Sequence, residues 1–303
     1  MEGVARNDII GELPSTLDCY RERLSRVQCV AIVDEMIRDL GVVHDGAMQA
    51  GALPEFRAAC QMHPLHDLVL QDPFTERGFR KPYGDGVMFD HIHRPRRLAL
   101  TDVGAAVHFV TTGMSTAKSL RWRRDHVGAQ IVKTVKRKRN ARILSVAGGH
   151  LRELDVVAGM VSRRDFEIVA LDPDRESLVE AVNANADFNI VPLHKPFSHL
   201  LGGERRETYD LICAPAMLDS LPDGAASMLL GRLIDTLAPS GRLIVGNRAP
   251  GNYDRGYIEG MMGWRLRYRT EAELKALLPR DEAHKVYRDK PGNVIYLDVS
   301  ARG

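Results

Sequence analysis

The sequence has few cysteines and no long apolar run. Its four cysteines lie far apart, at positions 19, 29, 60 and 213, without the C-x-x-C spacing of metal and redox motifs, so we expect reduced thiols and no disulfide framework. About eighteen consecutive apolar residues would be needed for a membrane helix, and no such run is present. Charged residues interrupt the first thirty positions, which is unlike a signal peptide. These absences predict a cytoplasmic protein with no membrane partner.

The sequence also lacks an excess of charge of either sign. Its 42 basic and 40 acidic residues give a net charge of +2, which provides no global attraction to nucleic acid. A chain of 303 residues of which 44% are hydrophobic is long enough for one or two domains with a buried core. The composition therefore indicates an ordinary globular protein, and its function has to be sought in local motifs.

One stretch has the pattern of a nucleotide-type cofactor site. An apolar run at 143–146 leads into Gly148 and Gly149, and apolar residues from 151 to 161 then recur at helical spacing. A second apolar run ends at Asp172. Glycines allow a ligand to approach the backbone closely, and a carboxylate about 20 residues later can accept hydrogen bonds from both ribose hydroxyls. The pattern predicts that Gly148, Gly149 and Asp172 bind a cofactor that contains a ribose.

The same turn argues against NAD or FAD. It has Leu151 where a third glycine would allow the helix to pack close to a pyrophosphate. A cofactor with a ribose and an adenine but no diphosphate fits better. Downstream, the sequence predicts a strand at 209–214, a helix at 223–237 and a strand at 242–246. Two more alternating strands, at 283–289 and 293–299, are separated by a Lys-Pro-Gly turn too short to join parallel strands.

These segments resemble the motifs of class I S-adenosylmethionine-dependent methyltransferases over residues 141–299. The matching phrases are ILSVAGGHL, VALDPD, YDLICAPAMLDSLPD and LIDTLAPSGRLIVGN. The resemblance implies an α/β fold, a Rossmann-like sheet of seven strands with a C-terminal antiparallel hairpin, and S-adenosyl-L-methionine as the cofactor. It departs from the family where Ala147 and Leu151 replace glycines. The cofactor-binding residues that it implies in this domain are Gly148, Gly149, Asp172, Pro173 and Ala214.

The N-terminal part differs in kind. Its apolar residues recur every three or four positions, which predicts helices at 17–40, 47–62, 102–112 and 115–136. The helix at 47–62 is expected to be broken near Leu53-Pro54, and another helix is expected to begin at His63-Pro64. We expect a helical cap or substrate domain at 1–140 and a methyltransferase domain at 141–303. The apolar face of the helix predicted at 17–40 suits either the cap or a homodimer interface.

Residues 71–93 are rich in glycine, proline, aromatics and charge, so we expect an irregular segment. The phrase HPLHDLVLQDPFTERGFRKPYGDGVMFDHIH resembles a motif of a bacterial methyltransferase group, which includes enzymes that esterify 3-hydroxy fatty acids into quorum-sensing signals. The phrase YIEGMMGWRLRYRTEAEL, which follows the strand predicted at 242–246, resembles a segment of the same group. These resemblances imply that Tyr83 and Asp85 contact the cofactor. They also imply that Tyr257, Glu259 and Tyr268 line the substrate site.

The chemistry of a sulfonium donor suggests further candidates. The methyl group is already activated, so the enzyme mainly aligns the acceptor and excludes water. A carboxylate acceptor needs no base, whereas a hydroxyl or an amine needs one. We expect Arg121 or Arg123 to pair with a substrate carboxylate, and His91 or His93 to complete the catalytic site. Asp219 follows a strand end, where it can contact the substrate. No metal is predicted, because methyl transfer from a sulfonium does not require one.

Several functions remain open at the level of sequence. O-methylation of a carboxylate or hydroxyl of a small molecule, in the biosynthesis of a signal or secondary metabolite, is the main prediction. N-methylation of a small amine is an alternative. The basic run at 133–142 permits a third, RNA methylation, although the run has no aromatic residue for base stacking. The altered glycine motif also permits a cofactor-binding pseudoenzyme.

Overall fold

The computed structural model describes residues 2–27, 29–202 and 207–301. The chain divides into two compact units. The first, Met1–Lys118 with Gly251–Arg265, is called the helical unit, and the second, Ser119–Pro250 with Leu266–Gly303, the sheet unit. The division falls at Lys118 instead of the predicted 140, because the following helical turns pack on the sheet. The return of residues 251–265 to the helical unit could not be foreseen from local patterns.

The helical unit is built from helices of 5 to 25 residues. Their bounds are α1 Glu2–Arg26, α2 Val30–Gln49, α3 Leu53–Met62, α4 Leu65–Val69, α5 Pro73–Arg80, α6 Gly86–His93, α7 Asp102–Thr111 and α12 Arg255–Met261. The long helix α8, Ser115–Arg137, begins here and continues into the sheet unit. The helices predicted at 102–112 and 115–136 are thus confirmed to within one residue.

The helix predicted at 17–40 is wrong, because two helices occupy that range. The helix α1 ends at Arg26 and α2 begins at Val30, with Cys29 in an extended conformation. Arg23 and Glu35 form an ion pair between the two helices. The apolar residues have the same spacing on both sides of the break, because each of the two helices buries one apolar face.

The segment 71–93 is also more regular than predicted. Two helices occupy most of it, α5 and α6, and each begins at an aspartate that caps it. Asp72 accepts hydrogen bonds from the first turn of α5, and Asp85 accepts one from Met88 N in α6. Caps and a proline in the first turn can start short helices despite a high content of glycine and charge.

In the described part of the sheet unit, seven strands form one sheet in the order β3-β2-β1-β4-β5-β7-β6. The strands β1 to β5 are parallel, and β7 runs antiparallel to both of its neighbours. The predicted seven-stranded α/β fold with its C-terminal hairpin is therefore confirmed. The strand bounds are β1 Ala141–Val146, β2 Phe166–Asp172, β3 Asn189–His194, β4 Tyr209–Ala214, β5 Leu237–Arg248, β6 His284–Arg288 and β7 Val294–Ser300.

Helices cover both faces of this sheet. They are α8, α9 Leu154–Val157, α10 Arg175–Ala184, α11 Asp223–Ile234 and α13 Glu271–Ala276, with short 3-10 helices at Phe197–Leu201 and Leu218–Ser220. Adjacent strand residues face opposite sides: Ile143 packs in the same apolar cluster as Val127 and Ile131 of α8, whereas Leu144 packs with α11. Both faces are buried, which explains the nearly continuous apolar strands.

The helix predicted at 151–161 is much shorter than expected. Only Leu154–Val157 is helical, because Leu151 has a left-handed conformation that cannot start a helix there. The apolar residues Leu151, Leu154 and Val157 are nevertheless all fully buried.

Two further findings bear on the expected class of protein. None of the described helices is both long and apolar enough to cross a membrane. The four cysteines all lie in the described part of the chain, and none forms a disulfide.

Candidate functional site

The sheet unit has a topological switch point between β1 and β4. The chain passes from β1 to β2 and β3 on one side, and β4 and β5 lie on the other. In open α/β sheets, ligands bind beyond the carboxyl ends of the strands at such a point. The carboxyl ends of β1, β2, β4 and β5 are therefore the first place to look for a site.

The turn after β1 has an unusual backbone. Ala147, Gly149 and Leu151 all have positive φ angles, of 55°, 55° and 51°. A Cβ atom at Gly148 would lie too close to the side chains of Ser145 and Leu151, which would have to move to admit it. Ala147 and Leu151 thus keep the left-handed conformation that glycine adopts without strain. The turn therefore has a left-handed backbone at two positions that carry side chains.

Asp172, the last residue of β2, is connected directly to this turn. Its Oδ2 accepts a hydrogen bond from Gly149 N at 3.2 Å, and its Oδ1 accepts one from Asp174 N at 2.9 Å. The residue is only 8% exposed. Burial raises the pKa of Asp172, while the two backbone donors act in the opposite direction. The carboxylate thus lies beside the glycine turn, as predicted from the sequence. The neighbouring Pro173 is exposed, and its carbonyl oxygen lies 3.1 Å from His194 Nε2.

A second acid, Glu153, lies just beyond the turn and was missed by sequence reasoning. Burial raises its pKa, whereas Arg123 and a hydrogen bond from Ser145 lower it. Arg123 reaches this group from α8 and interacts electrostatically with Glu153, Asp219 and Arg248. Burial lowers the pKa of Arg123. A guanidinium and a carboxylate of opposite charge therefore lie beside the carboxyl end of β1.

The predicted pair of arginines is not brought together. Arg121 lies two residues from Arg123 on α8, and residues at that spacing do not share a helix face. Burial and the neighbouring Arg124 lower the pKa of Arg121, whereas Arg123 interacts electrostatically with Glu153 and Asp219. Only Arg123 therefore remains a candidate at this site.

Asp219 follows β4 and is tied to the end of β5. Its Oδ1 accepts a hydrogen bond from Arg248 N at 2.8 Å, and its Oδ2 lies 3.6 Å from Arg248 Nε. Burial raises the pKa of Asp219, and Arg248 is the largest opposing influence. Arg269 stabilises the same region, because it donates hydrogen bonds to the carbonyl oxygens of Leu218 and Leu221. The nearby predicted residues Ala214 and Tyr268 are buried and partly buried, respectively.

In the helical unit, Tyr83 and Asp85 have structural partners. Asp85 caps α6 and forms an ion pair with Arg77. Tyr83 has a positive φ of 71°, and its ring lies 6.1 Å from that of Trp264. Asp85 is thus engaged by the protein, and contact of either residue with a cofactor stays a prediction.

Tyr257 and Glu259 are enclosed in the helical unit. The hydroxyl of Tyr257 lies 2.7 Å from Thr75 Oγ1, and the ring is fully buried. Glu259 pairs with Arg57 at 2.8 Å and with His44 at 3.1 Å. Their polar groups are used by protein partners, which gives both residues a role in holding the helices together. We therefore do not carry them forward as substrate-binding residues.

The two predicted histidines lie on α6, near its C-terminal end. The ring of His91 packs edge-on against that of His108 of α7, with centroids 5.3 Å apart. Burial and the neighbouring His108 lower the pKa of His91. His93 closes the same helix, and its catalytic role stays a prediction. The contact of His91 with His108 was not foreseen, because α6 and α7 are joined by a loop whose path the sequence does not specify.

Several cations of the basic run are engaged by the protein. Lys138 pairs with Asp210 at 2.7 Å, and Arg142 pairs with Glu167 at 2.8 Å. Arg137 donates to the carbonyl oxygen of Ser240. Cations held in this way near the amino ends of β1 and β4 are less available to phosphates, so the structure gives the RNA alternative no support.

Two residues of the site, Glu153 and Arg248, were absent from the sequence prediction. A signal for Arg248 exists, since it is the last residue of a strand whose carboxyl end opens at the ligand side of the sheet. Glu153 has a weaker signal, because the expected helix at 151–161 would have turned it toward solvent. Its position depends on the left-handed Leu151.

Comparisons with known proteins agree with the fold. No protein-family model matches the chain, and no curated protein matches it. Among solved structures, a possible exported protein from Bordetella parapertussis is similar over 90% of this chain and 96% of its own, with a TM-score of 0.63 and 16% identity. Magnesium protoporphyrin IX methyltransferase from Synechocystis PCC 6803, with bound S-adenosylhomocysteine, is similar over 71% of this chain and 92% of its own, with a TM-score of 0.48 and 13% identity.

A third similar structure is the N-methyltransferase NodS from Bradyrhizobium japonicum WM9. It covers 59% of this chain and 87% of its own, with a TM-score of 0.40 and 13% identity. The similarity to the Bordetella parapertussis protein, at 16% identity, concerns the fold and leaves the function of this chain to be argued from its own residues.

Proposed function

We propose that the chain is an S-adenosylmethionine-dependent methyltransferase that acts on a small molecule. The observation that carries this proposal is the position of Asp172, a buried carboxylate at the end of β2 that accepts a hydrogen bond from Gly149 in the turn after β1. A carboxylate at this place can accept hydrogen bonds from the two hydroxyls of a ribose. The switch point between β1 and β4 supplies the crevice in which such a ligand binds.

The residues present fit this cofactor better than a dinucleotide. Leu151 stands where a pyrophosphate would need a third glycine, and its side chain is fully buried, so the turn is unsuited to a diphosphate. S-adenosylmethionine has a ribose and an adenine but no phosphate. Gly148, Gly149 and Asp172 would hold its nucleoside part.

The opposite charges beside β1 suit the other end of the cofactor. Its amino-acid end has one ammonium and one carboxylate group. Arg123 can pair with a carboxylate, and Glu153 can accept hydrogen bonds from an ammonium. The raised pKa of Glu153 reflects a burial that its present partners offset only in part, as is common at binding sites. We assign the amino-acid end to this pair.

When bound, the cofactor supplies a methyl group that is already activated by a positively charged sulfur. The chain then has to hold the acceptor in line with that methyl group and to exclude water. The reaction proposed is O-methylation of a small molecule in the biosynthesis of a signal or a secondary metabolite.

Isothermal titration calorimetry of the whole protein with S-adenosylmethionine tests the proposal. Asp172→Ala should weaken binding by about 1–3 kcal/mol, the range for hydrogen bonds to a charged group. Asp165→Ala is the matched control, because Asp165 precedes the same strand at its other end and should leave the affinity unchanged.

Binding of NAD instead of S-adenosylmethionine would contradict the assignment. An equal affinity of the Asp172→Ala protein would place the ribose elsewhere. Methylation of bulk RNA in place of small molecules, with a dependence on Lys136 and Arg139 and on salt concentration, would favour the nucleic-acid alternative.

A further inference from the structure

The sheet unit contains a buried tyrosine hydroxyl with no hydrogen bond inside the protein. Tyr296 of β7 is fully buried. Among the residues that the structure describes, none forms a hydrogen bond with its hydroxyl oxygen. Buried polar groups in folded proteins are nearly always hydrogen-bonded, because an unpaired one is costly. A ligand that accepts a hydrogen bond from this hydroxyl would remove that cost.

The packing of β5 against β7 determines where the hydroxyl lies. Tyr296 pairs with Gly246 of β5 in the antiparallel register. A Cβ atom at Gly246 would lie 3.2 Å from Tyr296 Cε1 and 2.5 Å from the carbonyl oxygen of Pro215, which follows β4. Because Gly246 has no side chain, the ring of Tyr296 can extend over β5, and Cε1 is bonded to the carbon that carries the hydroxyl. The hydroxyl therefore lies near the carboxyl ends of β4 and β5, at the edge of the sheet where we propose that the cofactor binds.

Aromatic neighbours hold the ring of Tyr296 in this position. It stacks on Tyr287 of β6, with centroids 5.6 Å apart and planes 9° from parallel. It also contacts Trp122 and His126 of α8, at centroid distances of 5.2 Å and 5.7 Å. The hydroxyl of Tyr287 differs from that of Tyr296, because it lies 2.8 Å from His126 Nε2. Two stacked tyrosines thus differ in one respect, namely whether the protein supplies a hydrogen-bond partner.

The nearest positive charge is that of Arg123 on α8. Burial raises the pKa of Tyr296, and Arg123 is the largest influence in the opposite direction. Burial lowers the pKa of Arg123, and among its ionisable neighbours Tyr296 opposes this most, ahead of Glu153. The hydroxyl keeps its proton at neutral pH and can donate it in a hydrogen bond. All three residues belong to the sheet unit, so a hydroxyl donor and a guanidinium occur together there, as carboxylate binding requires.

The other charges near the hydroxyl favour a ligand with both signs of charge. Asp289, Tyr287 and Asp219 act on Tyr296 in the direction opposite to Arg123. A simple anion would be repelled by the two acids. An amino-acid group carries an ammonium next to its carboxylate, so it matches an environment in which donors and acids are both present.

We propose that Tyr296 is a cofactor-binding residue whose hydroxyl donates a hydrogen bond to the carboxylate of the amino-acid end of S-adenosylmethionine. This inference rests on the proposed function and deepens it, because it adds a residue of β7 to the end of the cofactor that we assign to Arg123 and Glu153. The cofactor then supplies the hydrogen-bond partner that the protein does not. The residue lies outside the motifs that the sequence predicts to bind the cofactor.

Calorimetry with two ligands tests the inference. S-adenosylmethionine has the carboxylate, whereas decarboxylated S-adenosylmethionine keeps the sulfonium and the ammonium but lacks it. Tyr296→Phe removes only the hydroxyl oxygen. We expect this variant to bind S-adenosylmethionine about 10- to 100-fold more weakly, the effect of one hydrogen bond to a charged group. It should bind the decarboxylated compound as the wild type does.

The melting temperature of the protein without ligand gives a second readout. Tyr296→Phe loses no hydrogen bond within the protein and removes a buried polar atom, so its melting temperature should equal or exceed that of the wild type. Tyr287→Phe is the matched control, because it loses the contact with His126. We expect the control to have a lower melting temperature and an unchanged affinity for S-adenosylmethionine.

The outcomes distinguish failure of this inference from failure of the proposed function. An unchanged affinity of Tyr296→Phe for S-adenosylmethionine would overturn the role of Tyr296. Equal weakening of both ligands would overturn it as well, because the hydroxyl would then act on something other than the carboxylate. In either case the wild type still binds the cofactor and the proposed function stands. If S-adenosylmethionine does not bind to the wild type at all, the proposed function is wrong and the role of Tyr296 falls with it.

Discussion

The two units differ in how completely hydrogen bonds and opposite charges compensate their buried carboxylates. In the helical unit, the carboxylates of Asp72 and Glu259 are enclosed by donors and cations that satisfy them. In the sheet unit, burial raises the pKa of Glu153, Asp172 and Asp219, and their partners offset this only in part. Saturated networks fix a structure, whereas incompletely compensated carboxylates at strand ends are typical of places that gain a ligand. The difference indicates a structural role for the first group and supports our proposal that the second group lies at a ligand site.

The largest effect is expected from the helical unit. Glu259→Gln removes the charge of a buried carboxylate that pairs with the partly buried Arg57 at 2.8 Å, and loss of one partner of a buried pair costs up to about 3–5 kcal/mol. Urea denaturation should therefore show a much lower free energy of unfolding. Glu35→Gln is the control, since its pair with Arg23 is at the surface and should change stability by less than about 1 kcal/mol. Equal effects of the two changes would remove the contrast between buried and exposed pairs.

An intermediate effect is expected from Glu153 in the sheet unit. Its pKa is raised in the folded state, so its contribution to stability is present below the unfolded pKa of about 4.3 and is lost as pH rises through the folded pKa. Glutamine does not ionise, so the Glu153→Gln protein does not lose stability in this way. We expect the variant to gain stability relative to the wild type as pH rises above about 4, by about 1.4 kcal/mol for each unit by which the two pKa values differ.

Glu273 provides a control of opposite sign. Hydrogen bonds from Thr270 lower its pKa, so its contribution is present above the unfolded pKa and is lost as pH falls through the folded pKa. Glu273→Gln should therefore lose stability relative to the wild type as pH rises. Denaturation curves between pH 3 and pH 7 would reveal the two slopes. Slopes of the same sign would contradict the assignment of Glu153 to the incompletely compensated group.

The smallest effect concerns the strained turn of the sheet unit. Ala147 has a φ of 55°, and glycine avoids the cost of about 1–2 kcal/mol that a Cβ incurs in this conformation. Glycine also loses more conformational entropy on folding, which offsets part of this gain. Ala147→Gly should therefore raise the free energy of unfolding by up to about 1 kcal/mol. Gly159→Ala is the reverse experiment, because Gly159 has a φ of 84° and open space around its Cβ position. It should destabilise the protein, and a stabilising effect there would disprove the argument from strain.

Much of the sheet unit could be predicted from local patterns. Apolar runs that end in glycine or acid locate β1 and β2, and a turn too short for a crossover requires that β6 and β7 be antiparallel to each other. The position of Asp172 beside Gly149 follows from the same spacing. The helical unit was harder, because periodicity alone did not distinguish one helix at 17–40 from the two that exist.

The sequence by itself determined the α/β sheet, its terminal hairpin and the proximity of the glycine turn to Asp172, because each depends on neighbours in the chain or on adjacent parallel strands. Only the tertiary structure decided which charges meet. Arg123 interacts electrostatically with Glu153, whereas Arg121 is influenced by Arg124, and Asp72 contacts His108 across 36 positions of sequence. Such contacts depend on the packing angles of helices, which side-chain volumes over the whole unit determine and no local spacing encodes.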